Sequence, residues 1–260
     1  AENLHSNRGV RNFWLVDEDG QAFSVSGASA RQEADRFTPA QDDSRLTAGL
    51  MWQTVERTAQ DLGLDTEVTA FCPRQDNVEI LCITVRNQQE QPRWLTPIAA
   101  VPLYGRSADN IRDHRNVTSM LHRIWTTENG VMVRPTMSFD ERGHRPNHKV
   151  YYVEGFGPEG QKPEAFYPTV ESFLGEGGTY LHPRAVYEQY PGVKAGSRAE
   201  GREAMGAFRF PAITLAPGQE AHYVLLLGVE DSEEAVNAIW DKYHSWEQVQ
   251  AVLDETRSYW

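Results

Sequence analysis

Three shortages shape the first reading of this 260-residue chain: it has two cysteines, no long apolar run, and too few bases for its acids. Against 37 Asp and Glu stand 25 Lys and Arg, a formal charge of −12. Each neutralised phosphate in a nucleic-acid complex needs a cation from the protein, so the charge balance argues against nucleic-acid binding. The longest apolar stretches, residues 98–103 and 223–227, fall far short of the ~20 residues of a membrane-spanning helix, so no membrane partner is expected. Ala1-Glu2-Asn3-Leu4-His5 lacks the basic segment and apolar core of an export signal, although a signal already removed would leave the same sequence.

Cys72 and Cys82 lie in strand-like runs on either side of Pro73-Arg74-Gln75-Asp76-Asn77, which has turn chemistry. If Cys72 faces Val78 across that turn, Cys82 faces Val68. The sulfurs then stand roughly 14 Å apart at ~3.4 Å per residue, beyond the Cα separation of about 7 Å that a disulfide tolerates. Reduced thiols, and with them a cytoplasmic location, are the expectation. Neither cysteine has the paired short spacing of a zinc site. His144 and His148 have the i, i+4 spacing of helical metal ligands, but Gly143 and Pro146 forbid that helix. No metal and no cofactor are expected. Asn116-Val117-Thr118 matches a glycosylation sequon, a tripeptide common by chance.

What the chain does have is a succession of short strands. Residues 13–16 and 22–26 flank Asp17-Glu18-Asp19-Gly20 as a hairpin, and residues 50–59, 64–72 and 78–87 read as an antiparallel meander. Residues 78–85 and 223–227 are apolar at both parities, which predicts strands covered on both faces. Pro217-Gly218 predicts a tight turn just before the second of them. From residue 231 the period changes to helical. Asp231 and Glu234 have capping spacing, Ile239 and Tyr243 share a stripe with Ala235, and Ser245 starts a second helix carrying Trp246, Val249, Val252 and Leu253. That helix reads as unfinished at Trp260, as though cut within a linker.

The middle of the chain, residues 105–206, is rich in Gly, Pro, Arg and His, with strands expected at residues 131–134 and 150–155; the rest reads as elaborated functional loops. His114, Arg115, His122, Arg123 and Trp125 cluster there, followed by Arg142, His144, Arg145 and Asn147. Trp stacks on sugar faces and Arg bonds hydroxyls, so the cluster is either a set of loop-fixing ion pairs or a polar ligand surface. Asp140, Glu141, Glu154, Glu171 and Glu176 lie where glycosidase acids could act, but no spacing singles out a pair. Gly175-Glu176-Gly177-Gly178 reads as a structured turn rather than a nucleotide loop.

Several of these stretches carry a resemblance. Asp113-His114-Arg115-Asn116-Val117-Thr118-Ser119-Met120-Leu121-His122-Arg123-Ile124, Phe139-Asp140-Glu141-Arg142-Gly143-His144 and Phe173-Leu174-Gly175-Glu176-Gly177-Gly178 resemble the N-terminal region of the cellobiose phosphorylase family, glycoside hydrolase family 94. Glu79 to Asn87, ending Thr84-Val85-Arg86-Asn87, is similar to that region's strand with a Thr-x-x-Asn pattern. Within the family, Val117-Thr118-Ser119-Met120-Leu121-His122-Arg123 is most similar to 1,2-β-oligoglucan phosphorylases. The resemblance implies a mainly β fold: a large antiparallel β-sandwich of the supersandwich, galactose-mutarotase-like type over residues 1–230, then linker helices over 231–260 leading toward an (α/α)6 barrel. It implies inverting phosphorolysis of β-glucan oligosaccharides by inorganic phosphate, carried out by residues of the barrel, so no catalytic residue is placed here. It also implies a homodimer and a role in shaping the oligosaccharide entrance, with His114, Arg115, His122, Arg123, Trp125, Arg142, His144, Arg145 and Glu176 as candidate carbohydrate contacts. A free-standing carbohydrate-binding module and a self-sufficient glycosidase are the alternatives.

Overall fold

A computed structural model describes residues 11–106, 116–140 and 143–260. Its centre is a pair of neighbouring strands, β6 (Val78–Asn87) and β17 (Glu220–Glu230), joined antiparallel from Val78↔Gly228 to Arg86↔Glu220. Because side chains alternate across a strand, Leu81, Ile83 and Val85 of β6 and Tyr223, Leu225 and Leu227 of β17 face one core, while Ile80, Cys82, Val224 and Leu226 face another. The double-sided apolarity of both segments is thus used on both faces.

The two strands lie inside a nine-stranded sheet. To one side run β5 (Leu64–Phe71), β4 (Trp52–Ala59) and β3 (Asp43–Gly49); to the other run β12 (Val150–Phe156), β9 (Gly130–Pro135), β8 (His122–Thr126) and β14 (Arg198–Glu200). A second sheet of six strands packs on its inner face, in the order β13 (Ala165–Thr169), β15 (Ala204–Arg209), β7 (Arg93–Leu103), β1 (Asn12–Asp17), β2 (Ala22–Ser24), with β16 (Ile213–Leu215) also paired to β7. A separate hairpin is formed by β10 (Met137–Asp140) and β11 (Gly143–Pro146). All these pairings are antiparallel. The fold is the expected antiparallel sandwich.

Aromatic rings join the sheets. Tyr223 of the large sheet lies 5.1 Å, centroid to centroid, from both Phe13 and Phe210, and Phe208 and Phe166 continue the row. Such tilted and edge-on ring pairs contribute about 0.5–1.5 kcal/mol each beyond buried area. Gly206 lets the sheets approach, since a Cβ there would lie 2.5 Å from Val153 Cγ2.

Both outer faces are covered. On the small sheet, Trp14, Val16, Ile98, Met205 and Ala207 pack against Phe173 of α2 (Val170–Leu174) and Ala185 and Val186 of α3 (Arg184–Tyr187); a further short helix, α1, spans Ala30–Ala34. On the large sheet, α4 (Glu233–Tyr243) and α5 (Trp246–Tyr259) seat Val236, Ile239, Tyr243, Val249 and Leu253 over Ile80, Cys82, Val224 and Leu226. Ser245 caps α5 as expected, its hydroxyl accepting from the Gln248 amide. No helix among the described residues is long and apolar enough to cross a membrane.

Three local expectations change: the β5–β6 register, the cap of α4 and the content of the middle region. The β5–β6 register pairs Thr69 with Cys82 and Val68 with Ile83, one residue away from Val68 opposite Cys82, because the connecting turn is longer. Cys72 and Cys82 are free thiols. The cap of α4 is Ser232, whose hydroxyl accepts from the Ala235 amide, rather than Asp231, which pairs with Lys149. The tight turn at Pro217-Gly218 forms as expected and carries the chain from the small sheet to the large one, since β16 pairs with β7 and β17 with β6. Finally, the middle region holds β8 to β14 and the start of β15 among its loops, more strands than the two expected there.

The asparagine of the Thr-x-x-Asn pattern explains itself at that crossing. Asn87 is fully buried; its amide nitrogen donates to the carbonyls of Leu215 and Gln91, each at 2.9 Å, and its Oδ1 accepts from the Gln89 amide. Its backbone bonds Gly218 and Gln219. Removing a buried partner leaves desolvated groups unpaired, at roughly 1–3 kcal/mol. Asn87→Ala is therefore expected to lose that much stability in denaturant unfolding, and an unchanged midpoint would contradict the tie.

Candidate functional site

Strand β8 sorts the central cluster by parity. His122, Ile124 and Thr126 point inward and are buried, while Arg123 and Trp125 point to the outer face of the large sheet. There they meet residues from strands distant in sequence. Trp125 lies opposite Arg198 of β14 and Met132 of β9, and Arg123 lies opposite Glu200 and Arg134. Arg123, Trp125, Arg134, Arg198 and Glu200, with His148 and the start of α4, line a cleft of about 670 Å³, within the ~300–1,000 Å³ of small-molecule sites. The Arg134 guanidinium stands 5.9 Å from the Trp125 ring centroid, and Arg123 Nε lies 3.7 Å from Glu200. The indole Nε1 of Trp125 is buried without an acceptor.

The other expected contacts are placed elsewhere or lie beyond the described residues. His122 has no exposed surface; its Nδ1 is 3.1 Å from the Arg202 carbonyl, and it lies under Gly105, where φ is 63° and a Cβ would stand 3.1 Å from the imidazole Nε2. Burial first, and the nearby Arg106 guanidinium second, push its pKa down to about 4, so it is neutral at pH 7. Arg106 itself bonds Glu203 at 2.6 Å. His144 and Arg145 stand on the exposed β11, opposite Phe139 and Ser138. Glu176 is exposed in the turn after α2, on the far side of the sandwich, and its carbonyl accepts from Arg184. His114, Arg115 and Arg142 lie outside the described residues. Of the nine positions, Arg123 and Trp125 are brought together. Arg134, Arg198 and Glu200 were missed, and the signal for them is cross-strand pairing rather than local spacing.

Of the candidate carboxylates, Glu141 lies outside the described residues, and Glu154, Glu171 and Glu176 do not assemble into an acid pair. Glu154 of β12 is buried on the outer face of the large sheet, whereas Glu171, paired with Arg202, and Glu176 lie on the small-sheet side. Among the described residues no three metal-ligating side chains gather. Glu154 meets Thr127 across Gly130, which has no side chain to separate them: Thr127 Oγ1 donates to its Oε1 at 3.2 Å, and Oε2 has no partner. Burial raises its pKa to about 7; the Thr127 hydroxyl acts in the opposite direction and Glu233 adds to the rise.

Residues 2–246 match the family described as glycosyl hydrolase 94, supersandwich domain. The chain belongs to this family. Comparison with curated protein sequences gives no match. Among solved structures, the supersandwich chain is similar to a bacterial glucoamylase complexed with acarbose (10% identity, TM-score 0.45, 96% of this chain and 31% of that one). A polysaccharide lyase gives 11% identity and a TM-score of 0.41 over 87% of this chain and 26% of that one. A galactose mutarotase-like protein from Lactobacillus casei ATCC 334 gives 10% identity and a TM-score of 0.32 over 72% and 73%. The chain thus spans less than a third of the length of the lyase and the glucoamylase.

Glu154 generates a pH prediction. Its folded pKa lies above the ordinary 4.5, so the unfolded chain ionises first as pH rises and stability falls between about pH 4.5 and 7. The loss is complete above pH 7 and is on the order of 3 kcal/mol. Glu154→Gln escapes this loss, so its melting temperature is expected to gain on the wild type as pH rises from 5 to 8; parallel curves would contradict the assignment.

Proposed function

We propose that this supersandwich domain is the N-terminal module of an inverting glycoside phosphorylase acting on β-glucan oligosaccharides, with the sandwich at residues 1–230 and linker helices at 231–260. The observation carrying this reading is the family match over residues 2–246, supported by the burial of α4 and α5 against the large sheet. In this role the module supports folding of a larger chain, takes part in a cytoplasmic homodimer and shapes the approach of oligosaccharide. Inorganic phosphate and substrate meet on residues outside the sandwich. The Val117-to-Arg123 stretch favours 1,2-β-linked glucans as substrates. A second reading, a free-standing carbohydrate-binding module, draws on the Trp125 and arginine cleft.

The isolated 260-residue chain is expected to release no glucose 1-phosphate from sophoro- or cello-oligosaccharides and phosphate, while a longer polypeptide carrying a helical barrel after it does so. Turnover by the isolated chain would overturn the modular reading.

A further inference from the structure

The cleft beside β8 has an unusual charge arrangement for a strongly acidic chain. Arg123 and Arg134 stand directly opposite each other on β8 and β9, and Arg198 flanks Trp125 from β14. Like charges directly opposite across a ladder destabilise it. Among the described residues, Arg134 and Arg198 form no ion pair, and Arg123 reaches one carboxylate, Glu200, at the long distance of 3.7 Å. Arg123 also donates from Nη1 to the carbonyls of Met120 and His122, at 3.2 and 3.1 Å, whereas among the described residues the guanidiniums of Arg134 and Arg198 and the buried Nε1 of Trp125 have no protein acceptor.

The opposite wall is acidic. Asp231, Glu233 and Glu234 line it, with Asp231 turned to Lys149 and Glu234 back to Ser232 and its own amide, and their charge offsets the pull of the arginines on an anion. A cation is repelled in turn by the arginine side. The ligand that suits both walls is uncharged, with many hydroxyls that both donate and accept: carboxylates accept hydrogen bonds from its hydroxyls, planar guanidiniums donate to its oxygens two at a time, and the indole borders an apolar ring face. The geometry points to this cleft as an accessory site for a neutral oligosaccharide, gripped mainly by Arg134, Arg198, Glu200 and Trp125, on the outer face of the large sheet. It deepens the reading above and rests on it for the choice of a β-linked glucan as the ligand.

The probes are sophorotriose and cellotriose, titrated into the 260-residue chain and followed by calorimetry and by amide shifts in β8, β9 and β14, with glucose 1-phosphate as a separate arm. Saturable millimolar binding of a trisaccharide, with shifts centred on those strands, is expected. Arg134→Ala with Arg198→Ala, both on exposed side chains, should weaken it at least tenfold without lowering the melting temperature, and Arg198→Lys alone should bind more weakly than the wild type, because an ammonium cannot bond bidentately. Absence of shifts at tens of millimolar trisaccharide, full affinity in the double variant, or tighter binding of glucose 1-phosphate than of trisaccharide at these strands would each overturn the site. Release of glucose 1-phosphate by a longer polypeptide is read separately, so loss of either result leaves the other standing.

Discussion

Everything in this domain hangs on two strands that are apolar on both faces. An amphipathic strand needs one cover; β6 and β17 need two, and at ~25 cal/mol per Å² of apolar surface a bare face is not tolerable. The inner faces recruit the six-stranded sheet through Tyr223 and its phenylalanine neighbours, and the outer faces recruit α4 and α5. The small sheet then has an outer face of its own, closed by α2 and α3 over Trp14 and Val16. Each layer is called in by the one beneath it.

That hierarchy determines where polar chemistry can sit. The centre of the large sheet is sealed by helices, so exposed side chains on its outer face are displaced to its flank, where β8, β9 and β14 extend beside α4. On the outer face a buried carboxyl, Glu154, is held half-protonated near neutrality, and on the inner face a buried imidazole, His122, is held neutral. Their pKa values move in opposite directions for one reason: burial disfavours whichever form carries the charge.

How much was legible in the sequence follows the range of the interactions. The β1–β2 hairpin, the β4–β6 meander, β17 and both terminal helices are encoded by local periodicity and turn residues, and they stand close to the expected positions. Strand β3 escaped because all seven of its residues are exposed and no alternation marks it. Strands β13 and β14 escaped because short segments among Gly and Pro gain their order from distant partners. One extra residue in the turn after Cys72 was enough to shift the β5–β6 register. At the cleft, Arg123 and Trp125 were visible as a dense cluster, but only pairing with β14, more than seventy residues later, supplies Arg198 and Glu200. His122 was grouped with them by proximity, although one step along a strand turns a side chain to the opposite face.

The crossing at Pro217-Gly218, pinned by Asn87, carries a consequence for biosynthesis. The small sheet needs β1, β7, β15 and β16, and the large sheet needs β6 beside β17, so both sheets draw on the beginning and the end of the chain. Neither can close while the polypeptide is emerging from a ribosome. The nascent domain therefore waits as an open set of hairpins, its widest apolar strand lacking its neighbour until β17 appears, and its need for protection from aggregation is greatest just before synthesis of the domain is complete.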